Sequence, residues 1–198
     1  MIAAMILAGG LASRAGGPKM TWKIGRKPSV RRVAEAALGA AEIALVTVVT
    51  GAWPEEVNAA LKDLPLTIIH NPGYAGGQSG SVKVGLSALP EETRAVIFLL
   101  ADQPFITSQI LADLVKFYEE SKALIVVPSF QGKRMNPALF DLARYREDLM
   151  GLSGDQGGRS IIKANPDDVA ALACDSLDPK IFADFDTLEE YEKLSCLI

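Results

Sequence analysis

A glycine-rich segment near the start of the chain follows an apolar run, residues 2–7, that predicts a buried strand. It holds two cations and four glycines: Arg14, Lys19, Gly9, Gly10, Gly16 and Gly17. Glycine lets a backbone approach a ligand closely and turn its N–H groups toward it, and two cations in one loop favour a polyphosphate. The alternative is a tight strand-to-helix turn with solvated charges. The length of the loop, with both charges inside it, favours the phosphate site.

Carboxylates follow two other predicted strands. Asp102 comes after the most apolar run, residues 95–101, and Asp184 lies on a predicted last strand, residues 181–185, with Asp186 two residues further on. A carboxylate at the end of a buried strand is costly unless a cation or hydrogen-bond donors accompany it. Mg²⁺ shared with substrate phosphates would meet that need; capping of the following turns is the alternative. Asp184 and Asp186 share one strand face, so the pattern does not separate them.

Several common chemistries are excluded by residue type and spacing. Lys19 lies between Pro18 and Met20, so the loop is not a Walker A motif, and the glycine positions do not fit G-x-G-x-x-G. His70 is the only histidine, so a Ser–His or Cys–His nucleophile is not expected. Nucleotidyl transfer to a phosphate needs no strong base, because a phosphate monoester has a second pKa of about 6. The sequence therefore favours a site that positions phosphates, a metal and positive charge.

The hydrophobic pattern predicts strands that alternate with helices, which indicates a three-layer α/β sandwich, Rossmann-like, with a mostly parallel mixed sheet. Further strands are predicted at residues 43–50, 66–70, 95–101, 124–127, 137–140 and 169–172. Helices are predicted at residues 28–41, 54 onward, 82–89 and 107–122, on both sides of the loop 154–159, and after a capping-box pair, Thr187 and Glu190. Ligands bind at the carboxyl ends of parallel strands. We therefore expect the glycine loop, Asn71, Asp102 and Asp184 to meet at one edge of the sheet.

Composition sets the broad class. The 198 residues are 49% hydrophobic and 22% charged, which predicts one globular domain over residues 1–198. A net charge of −4 argues against a nucleic-acid partner. The two cysteines, Cys174 and Cys196, match no metal or redox spacing, and no apolar run reaches membrane-spanning length. We expect a cytoplasmic protein with no membrane partner.

Five groups of residues, in order along nearly the whole chain, carry a family resemblance. They are Leu7-Ala8-Gly9-Gly10 with Ser13-Arg14-x-Gly16-x-x-Lys19; Asn71-Pro72-Gly73-Tyr74 through Ser81 and Gly85; Leu100-Ala101-Asp102-Gln103-Pro104; Gly132-x-Arg134-x-Asn136-Pro137-Ala138-Leu139-Phe140; and Gly154-Asp155-x-Gly157-Gly158-Arg159 with Asp184-Phe185-Asp186-Thr187. The first resembles the signature loop of nucleotidyltransferases with a Rossmann-like, glycosyltransferase-A-type fold, that of the nucleotide-diphospho-sugar transferases. The set resembles the molybdenum-cofactor nucleotidyltransferases.

The resemblance implies a role for each matching residue. The backbone of Leu7, Ala8, Gly9 and Gly10 would contact the nucleobase and triphosphate, and Asn71 and Ser81 would lie near the nucleoside. Arg14 and Lys19 would bind phosphates and act in catalysis together with Asp102. Asp102 would ligate Mg²⁺, with Asp184 completing the metal site. The residues that would face the pterin substrate are Arg134, Asn136, Asp155 and Arg159.

The implied reaction is attack by the terminal phosphate of molybdopterin on the α-phosphorus of a nucleoside triphosphate, with release of pyrophosphate. The implied partners are these two substrates and a recipient molybdoenzyme or its chaperone. Two features depart from the family pattern. Ala15 stands where the family usually has Met, and Leu-Ala-Gly-Gly resembles the guanylyl branch, whereas residues 71–85 and 136–140 resemble the cytidylyl branch. Because the matches to the cytidylyl branch are longer, we expect CTP as the donor, with GTP as the alternative.

Two other functions stay open at this point. The same loop would serve a nucleotidyltransferase that activates a sugar phosphate or a polyol phosphate. It would also serve a non-catalytic nucleotide-binding protein that delivers a cofactor. The cations Arg14 and Lys19 and the carboxylate of Asp102 favour an enzyme over the delivery protein.

Overall fold

The computed structural model describes residues 1–10 and 17–196, so the predicted phosphate-binding residue Arg14 lies outside the described part. A single mixed sheet forms its centre, in the order β10-β7-β9-β6-β1-β4-β5, with β8 paired to β7. These strands are β1 (Ile2–Ala8), β4 (Leu45–Thr50), β5 (Thr67–His70), β6 (Ala95–Leu100), β7 (Ile125–Phe130), β8 (Lys133–Arg134), β9 (Ala138–Asp141) and β10 (Val169–Ala173). A separate hairpin joins β2 (Lys23–Ile24) to β3 (Lys27–Pro28).

The sheet is mostly parallel, as predicted. Strand β1 pairs in parallel with β4 and β6, while β9 runs antiparallel between β6 and β7. In this register Leu7 pairs with Leu100 and Ala8 pairs with Thr50. The carboxyl ends of the three central strands therefore lie at one edge, and the segments after β1 and β6 are placed side by side.

Helices cover both faces of the sheet, because successive strand residues point to opposite sides. Ile2, Ala4 and Ile6 pack in one core with α1 (Ser29–Leu38), α2 (Pro54–Leu61) and α4 (Ser108–Ser121). Ala3 and Met5 pack in the other core with α3 (Gln78–Ala88), α5 (Leu142–Gly151) and α6 (Gly158–Ala164). The expected three-layer α/β sandwich is confirmed. None of the helices in the described part is both long and apolar enough to cross a membrane.

The last helix, α7 (Leu188–Ser195), packs away from the sheet in a third apolar cluster beside the β2–β3 hairpin. The Trp22 ring stacks on the Phe185 ring with centroids 6.2 Å apart, and the Tyr191 hydroxyl donates to the Lys23 carbonyl over 2.8 Å. The predicted capping box is confirmed, with Thr187 and Glu190 bonding each other's backbone N–H groups. This cluster holds residues 184–186 beside the residues that follow the glycine loop.

The predicted strand at residues 181–185 is wrong. Residues Pro179–Phe182 form a 3-10 helix, and Ala183 to Phe185 continue without a strand pairing. Proline fixes a helical φ at the first position, and the Asp178 carboxylate caps the turn by accepting from the Lys180 N–H over 3.0 Å. The apolar residues that suggested a strand are divided between two cores, with Phe182 in the first and Phe185 in the third.

Candidate nucleotide-binding and transfer site

The chain leaves β1 at Gly9, whose backbone contacts Gly51 on one side and the Ser81 hydroxyl on the other. A Cβ added to Gly51 would lie 2.2 Å from the Gly9 carbonyl oxygen, and a Cβ added to Gly9 would lie 2.8 Å from the Ser81 hydroxyl. Both distances are too short for a real Cβ atom. The backbone at Gly9 is therefore wedged between the end of β4 and the first turn of α3.

Asn71 holds Ser81 in position beside Gly9 through hydrogen bonds of its side chain. It is buried, its amide nitrogen donates to the Ser81 hydroxyl over 3.1 Å, and its carbonyl accepts from the Gly73 N–H over 3.0 Å. Of the two residues predicted to lie near the nucleoside, Ser81 faces the neighbouring cleft, and Asn71 holds Ser81 and the turn after β5 in place.

A cleft of about 610 Å³ opens at the carboxyl edge of the sheet. Seven of the predicted site residues line it: Leu7, Gly9, Gly10, Lys19, Ser81, Asp102 and Asp155. Ala8 lies between two of them in sequence but is buried on the α1 face of the sheet. Tyr74 and Gln78 also line the cleft, although their residue types in a glycine-rich stretch carried no chemical signal.

Lys19 lies at the base of this cleft, where three acceptors surround its ammonium. Lys19 Nζ donates to Asp102 Oδ2 over 2.7 Å, to Asp186 Oδ1 over 2.7 Å and to the Phe185 carbonyl over 2.8 Å. The residue is only 8% exposed. Burial acts to lower the pKa of Lys19, but the charges and hydrogen bonds of Asp102 and Asp186 outweigh it and the pKa is raised. The ammonium is therefore fixed and fully charged.

Short contacts from neighbouring elements position Asp102. At the start of α1, the Ser29 hydroxyl donates to the Ala101 carbonyl over 2.6 Å. The buried amide of Gln103 donates to the Phe182 carbonyl over 3.3 Å. Asp102 is thus held between α1 and the C-terminal segment, which could not be inferred from the apolar strand before it.

One carboxylate oxygen beside Lys19 is left over. Asp102 Oδ1 is buried and has no hydrogen-bond partner within residues 1–10 and 17–196. Restricted hydration, followed by repulsion from Asp102 and Asp186, raises the pKa of Asp184. Asp186 lines the cleft, whereas Asp184 is not among the lining residues.

This arrangement fits a hard divalent cation that completes its shell with substrate oxygens. Mg²⁺ prefers carboxylate oxygens as ligands. Here Asp102 Oδ1 is such an oxygen, buried and without a hydrogen-bond partner among the described residues. Within residues 1–10 and 17–196, no group of three Asp, Glu, His or Cys side chains converges tightly enough to hold a metal by itself. A cation here would therefore need ligands beyond the protein carboxylates.

A second pocket of about 450 Å³ gathers three of the four residues predicted to face the pterin: Arg134, Asn136 and Arg159. The fourth, Asp155, lines the first cleft. Lys163 joins the pocket one helical turn after Arg159, a spacing visible in the sequence once α6 is placed. Val127, Met135 and Ile162 complete the lining with apolar atoms.

The two pockets are neighbours. Phe98 pairs with Ala138 in the sheet, so Asn136 lies beside the end of β6 that leads to Asp102. The loop at residues 154–157 forms the boundary: a Cβ on Gly77 would lie 2.4 Å from the Gly154 carbonyl, and one on Gly157 would lie 2.7 Å from the Gln78 side chain. These close approaches seat the loop against the start of α3.

Comparison with known proteins agrees with this architecture. The sequence model described as the MobA-like NTP transferase domain matches residues 4–172. A protein of Thermococcus sibiricus named probable molybdenum cofactor guanylyltransferase is 27% identical over 146 residues, which is 74% of this chain and 69% of that protein.

Two solved structures share the fold. One is a homologue, from Mycobacterium sp. strain JC1, of Rv0371c of Mycobacterium tuberculosis, with a TM-score of 0.85, 24% identity and coverage of 99% of this chain and 96% of that one. The other is a nucleotidyl transferase from Methanothermobacter thermautotroptrophicus, with a TM-score of 0.84, 17% identity and coverage of 100% and 97%. The fold is that of nucleotidyltransferases of the nucleotide-diphospho-sugar transferase type, and the match over residues 4–172 makes this chain a member of the MobA-like NTP transferase family.

Proposed function

We propose that this protein transfers a nucleoside monophosphate from a nucleoside triphosphate to the terminal phosphate of molybdopterin, with release of pyrophosphate. The observation that carries the proposal is the Lys19–Asp102–Asp186 cluster at the base of a cleft beside the Gly9–Gly51 contact. This places a fixed cation and a carboxylate pair next to backbone that a triphosphate can approach closely.

The triphosphate would occupy the first cleft. Gly9 and Gly10 line this cleft, and a Cβ on Gly10 would meet no atom of the described residues within 4 Å. Helix α3 begins at Gln78 on the wall of the same cleft, and its positive N-terminal end favours a phosphate there, while its Ser79 N–H donates to the Gly154 carbonyl over 3.1 Å. Lys19 would neutralise charge on the phosphates as it develops during transfer.

The acceptor would occupy the second pocket. Arg134, Arg159 and Lys163 supply positive charge, and the Asn136 amide can both donate to and accept from a pterin ring. The apolar atoms of Val127, Met135 and Ile162 suit the faces of that ring. Because Asn136 adjoins the segment that leads to Asp102, an acceptor phosphate held here can approach the first cleft.

In the proposed reaction an oxygen of the acceptor phosphate forms a bond to the α-phosphorus, and the bond from that phosphorus to the bridging oxygen of pyrophosphate breaks. No general base is required, because the acceptor phosphate is largely ionised at neutral pH. Asp102 and Asp186 would hold Mg²⁺, which supplies charge neutralisation at the phosphates when bound. The protein groups orient the two substrates and exclude water.

In this proposal the nucleotide donor is CTP or GTP. The longer sequence matches, at residues 71–85 and 136–140, favour CTP, whereas the name of the Thermococcus sibiricus relative favours GTP. A direct comparison of the two nucleotides decides between them.

The decisive experiment measures pyrophosphate release with each of the four nucleoside triphosphates, Mg²⁺, and either molybdopterin, a sugar phosphate or a polyol phosphate. We expect release with molybdopterin and with one of CTP and GTP. Release with a sugar or polyol phosphate alone would replace the proposed acceptor. Nucleotide binding without release under any combination would favour the non-catalytic delivery protein.

A further inference from the structure

The ammonium of Lys19 lies between two carboxylates that would otherwise repel each other. One nitrogen contacts Asp102 Oδ2 and Asp186 Oδ1 at 2.7 Å each, so a single cation already bridges the pair. A divalent cation bound to the same carboxylates would stand in the place of this ammonium. The two cations are therefore alternatives at one position.

The position of Lys19 is built into the fold. Its ammonium also donates to the Phe185 carbonyl over 2.8 Å and lies 5.8 Å from the centre of the Phe185 ring. Phe185 is fully buried in the third apolar cluster, beneath Trp22. The Lys19 and Asp102 side chains are 10% and 21% exposed, whereas the Asp186 side chain is 50% exposed and lines the cleft, so a metal ion would reach the pair from the Asp186 side.

The ammonium satisfies this site incompletely. It has three donors, and all three are used, yet Asp102 Oδ1 remains buried without a partner in the described part of the chain. A cation with more coordination positions, together with its waters, can reach acceptors that the ammonium does not. Lys19 itself lines the cleft, so a phosphate bound there gives the released ammonium a new partner.

We propose that Lys19 acts as a tethered cation that occupies the divalent-metal position between Asp102 and Asp186 until nucleotide phosphates draw it away. The inference rests on the proposed function, since it assumes that a nucleotide enters the first cleft. Metal and nucleotide then bind cooperatively: phosphates that attract Lys19 open the metal position, and by linkage the metal favours nucleotide binding. The protein without nucleotide binds metal weakly.

The test is Mn²⁺ binding to the nucleotide-free protein, followed by electron paramagnetic resonance of the free ion. The panel compares wild type with Lys19→Met, Lys19→Gln, Lys62→Met and Asp102→Asn. Because the ammonium competes for both carboxylates, removing it is expected to tighten Mn²⁺ binding at least about tenfold. Lys62→Met removes one positive charge from an exposed position and is expected to match wild type. Asp102→Asn is expected to bind Mn²⁺ more weakly than wild type, because it removes one of the two carboxylates.

Equal or weaker Mn²⁺ binding by both Lys19 variants would overturn the proposal, as would a lack of binding by every protein in the panel. A second measurement uses wild type alone and so does not depend on how the variants fold. The NMR signal of the hydrogen-bonded Lys19 ammonium is expected to shift or vanish as Mg²⁺ is added, and an unchanged signal at saturating Mg²⁺ would contradict the exchange. Pyrophosphate release is measured separately and tests the proposed function, so a failure there can be told apart from a failure of the exchange between Lys19 and the metal.

Discussion

Gly51 packs directly on Gly9: a Cβ built on Gly51 would lie 2.2 Å from the Gly9 carbonyl oxygen and 2.6 Å from its Cα. Both partners are backbone, so no side-chain rotation can relieve such a contact. The two residues come at the ends of adjacent parallel strands, whose last residues pair as Ala8 with Thr50. The position of the backbone that lines the first cleft thus depends on a residue outside the cleft.

Replacing Gly51 with alanine is expected to displace the Gly9 backbone and to weaken nucleotide binding. Overpacking of this kind costs about 1–3 kcal/mol of unfolding free energy, and we expect kcat/KM for the nucleotide to fall about tenfold or more because the phosphates are misplaced. Chemical denaturation and steady-state kinetics measure both effects. The control is Gly151→Ala, where the added Cβ meets nothing within 4 Å; a similar loss there would contradict the explanation.

The three acidic residues near Lys19 are expected to differ in importance. Asp102→Asn should reduce kcat about a hundredfold or more, because it removes the carboxylate that contacts Lys19 and carries the unsatisfied oxygen. Asp186→Asn should cost more than Asp184→Asn, since Asp186 lines the cleft and bonds Lys19. Kinetics of the three variants at saturating Mg²⁺ test the order. The reverse order for the last two would support the sequence-based choice of Asp184 as the second metal ligand.

Ser81→Ala is expected to destabilise the protein by about 1–3 kcal/mol, because it leaves the buried Asn71 amide without its acceptor. It should also weaken nucleotide binding, since Ser81 lines the cleft beside Gly9. Ser87→Ala, on the exposed side of the same helix, is the matched control. If thermal denaturation gives the same result for both, the Asn71–Ser81 bond contributes little to stability.

Substitutions in the second pocket are expected to weaken binding of the acceptor and to leave nucleotide binding unchanged. Arg159→Gln and Lys163→Gln are each expected to raise the KM for the acceptor about tenfold, in line with lost contacts to an anion, and to leave the KM for the nucleotide unchanged. Asp155→Asn should alter the nucleotide KM, because Asp155 lines the first cleft. Lys62→Gln controls for the loss of a surface charge. A change in nucleotide KM in the first two variants would place the acceptor elsewhere.

One surface ion pair gives a pH prediction. Arg31 binds the Asp63 carboxylate through two hydrogen bonds, at 2.6 and 2.8 Å, and lowers the pKa of Asp63 to about 2 from its usual 3.8. Because the pKa of Asp63 is lower in the folded protein than in the unfolded chain, ionised Asp63 stabilises the fold when the pH is above the unfolded-state pKa. This stabilisation is lost as the pH falls through about 2. Carboxyl NMR titration should return the pKa of Asp63 toward its usual value in Arg31→Gln. Arg144→Gln, which breaks a separate pair with Asp148, should leave the pKa of Asp63 unchanged.

The central strands and their common edge follow from the sequence alone. Strand β6 was predicted to end before Asp102 and does so, because a continuous apolar run next to a carboxylate identifies a buried strand and its end. Helix α7 was equally clear, since its capping box is a local pattern. Helix α3 starts at Gln78, four residues before the predicted position, because helical glycine and serine carry a weak signal there.

The partners of Lys19 could not be derived from spacing. Asp102 and Asp186 are 83 and 167 residues away from it, and the packing of Phe185 against Trp22 helps to bring the second one near. The residues of the second pocket could not be derived from spacing either. The loop that carries Asp155 turns that residue into the first cleft while Arg159, four residues later, lies in the second. The roles that the family resemblance assigns to these residues stay predictions, as does that of Arg14.

The match to the family's sequence model ends at residue 172, and the segment that bonds Lys19 lies beyond it, at residues 185 and 186. During synthesis Asp186 leaves the ribosome 167 residues after Lys19, which at usual elongation rates corresponds to roughly 10–30 s. The contact between Gly9 and Gly51 can form early in that time, around a lysine that still lacks Asp186 and the Phe185 carbonyl. The hydrogen bonds of Lys19 are therefore completed only after residues 185 and 186 have been synthesised.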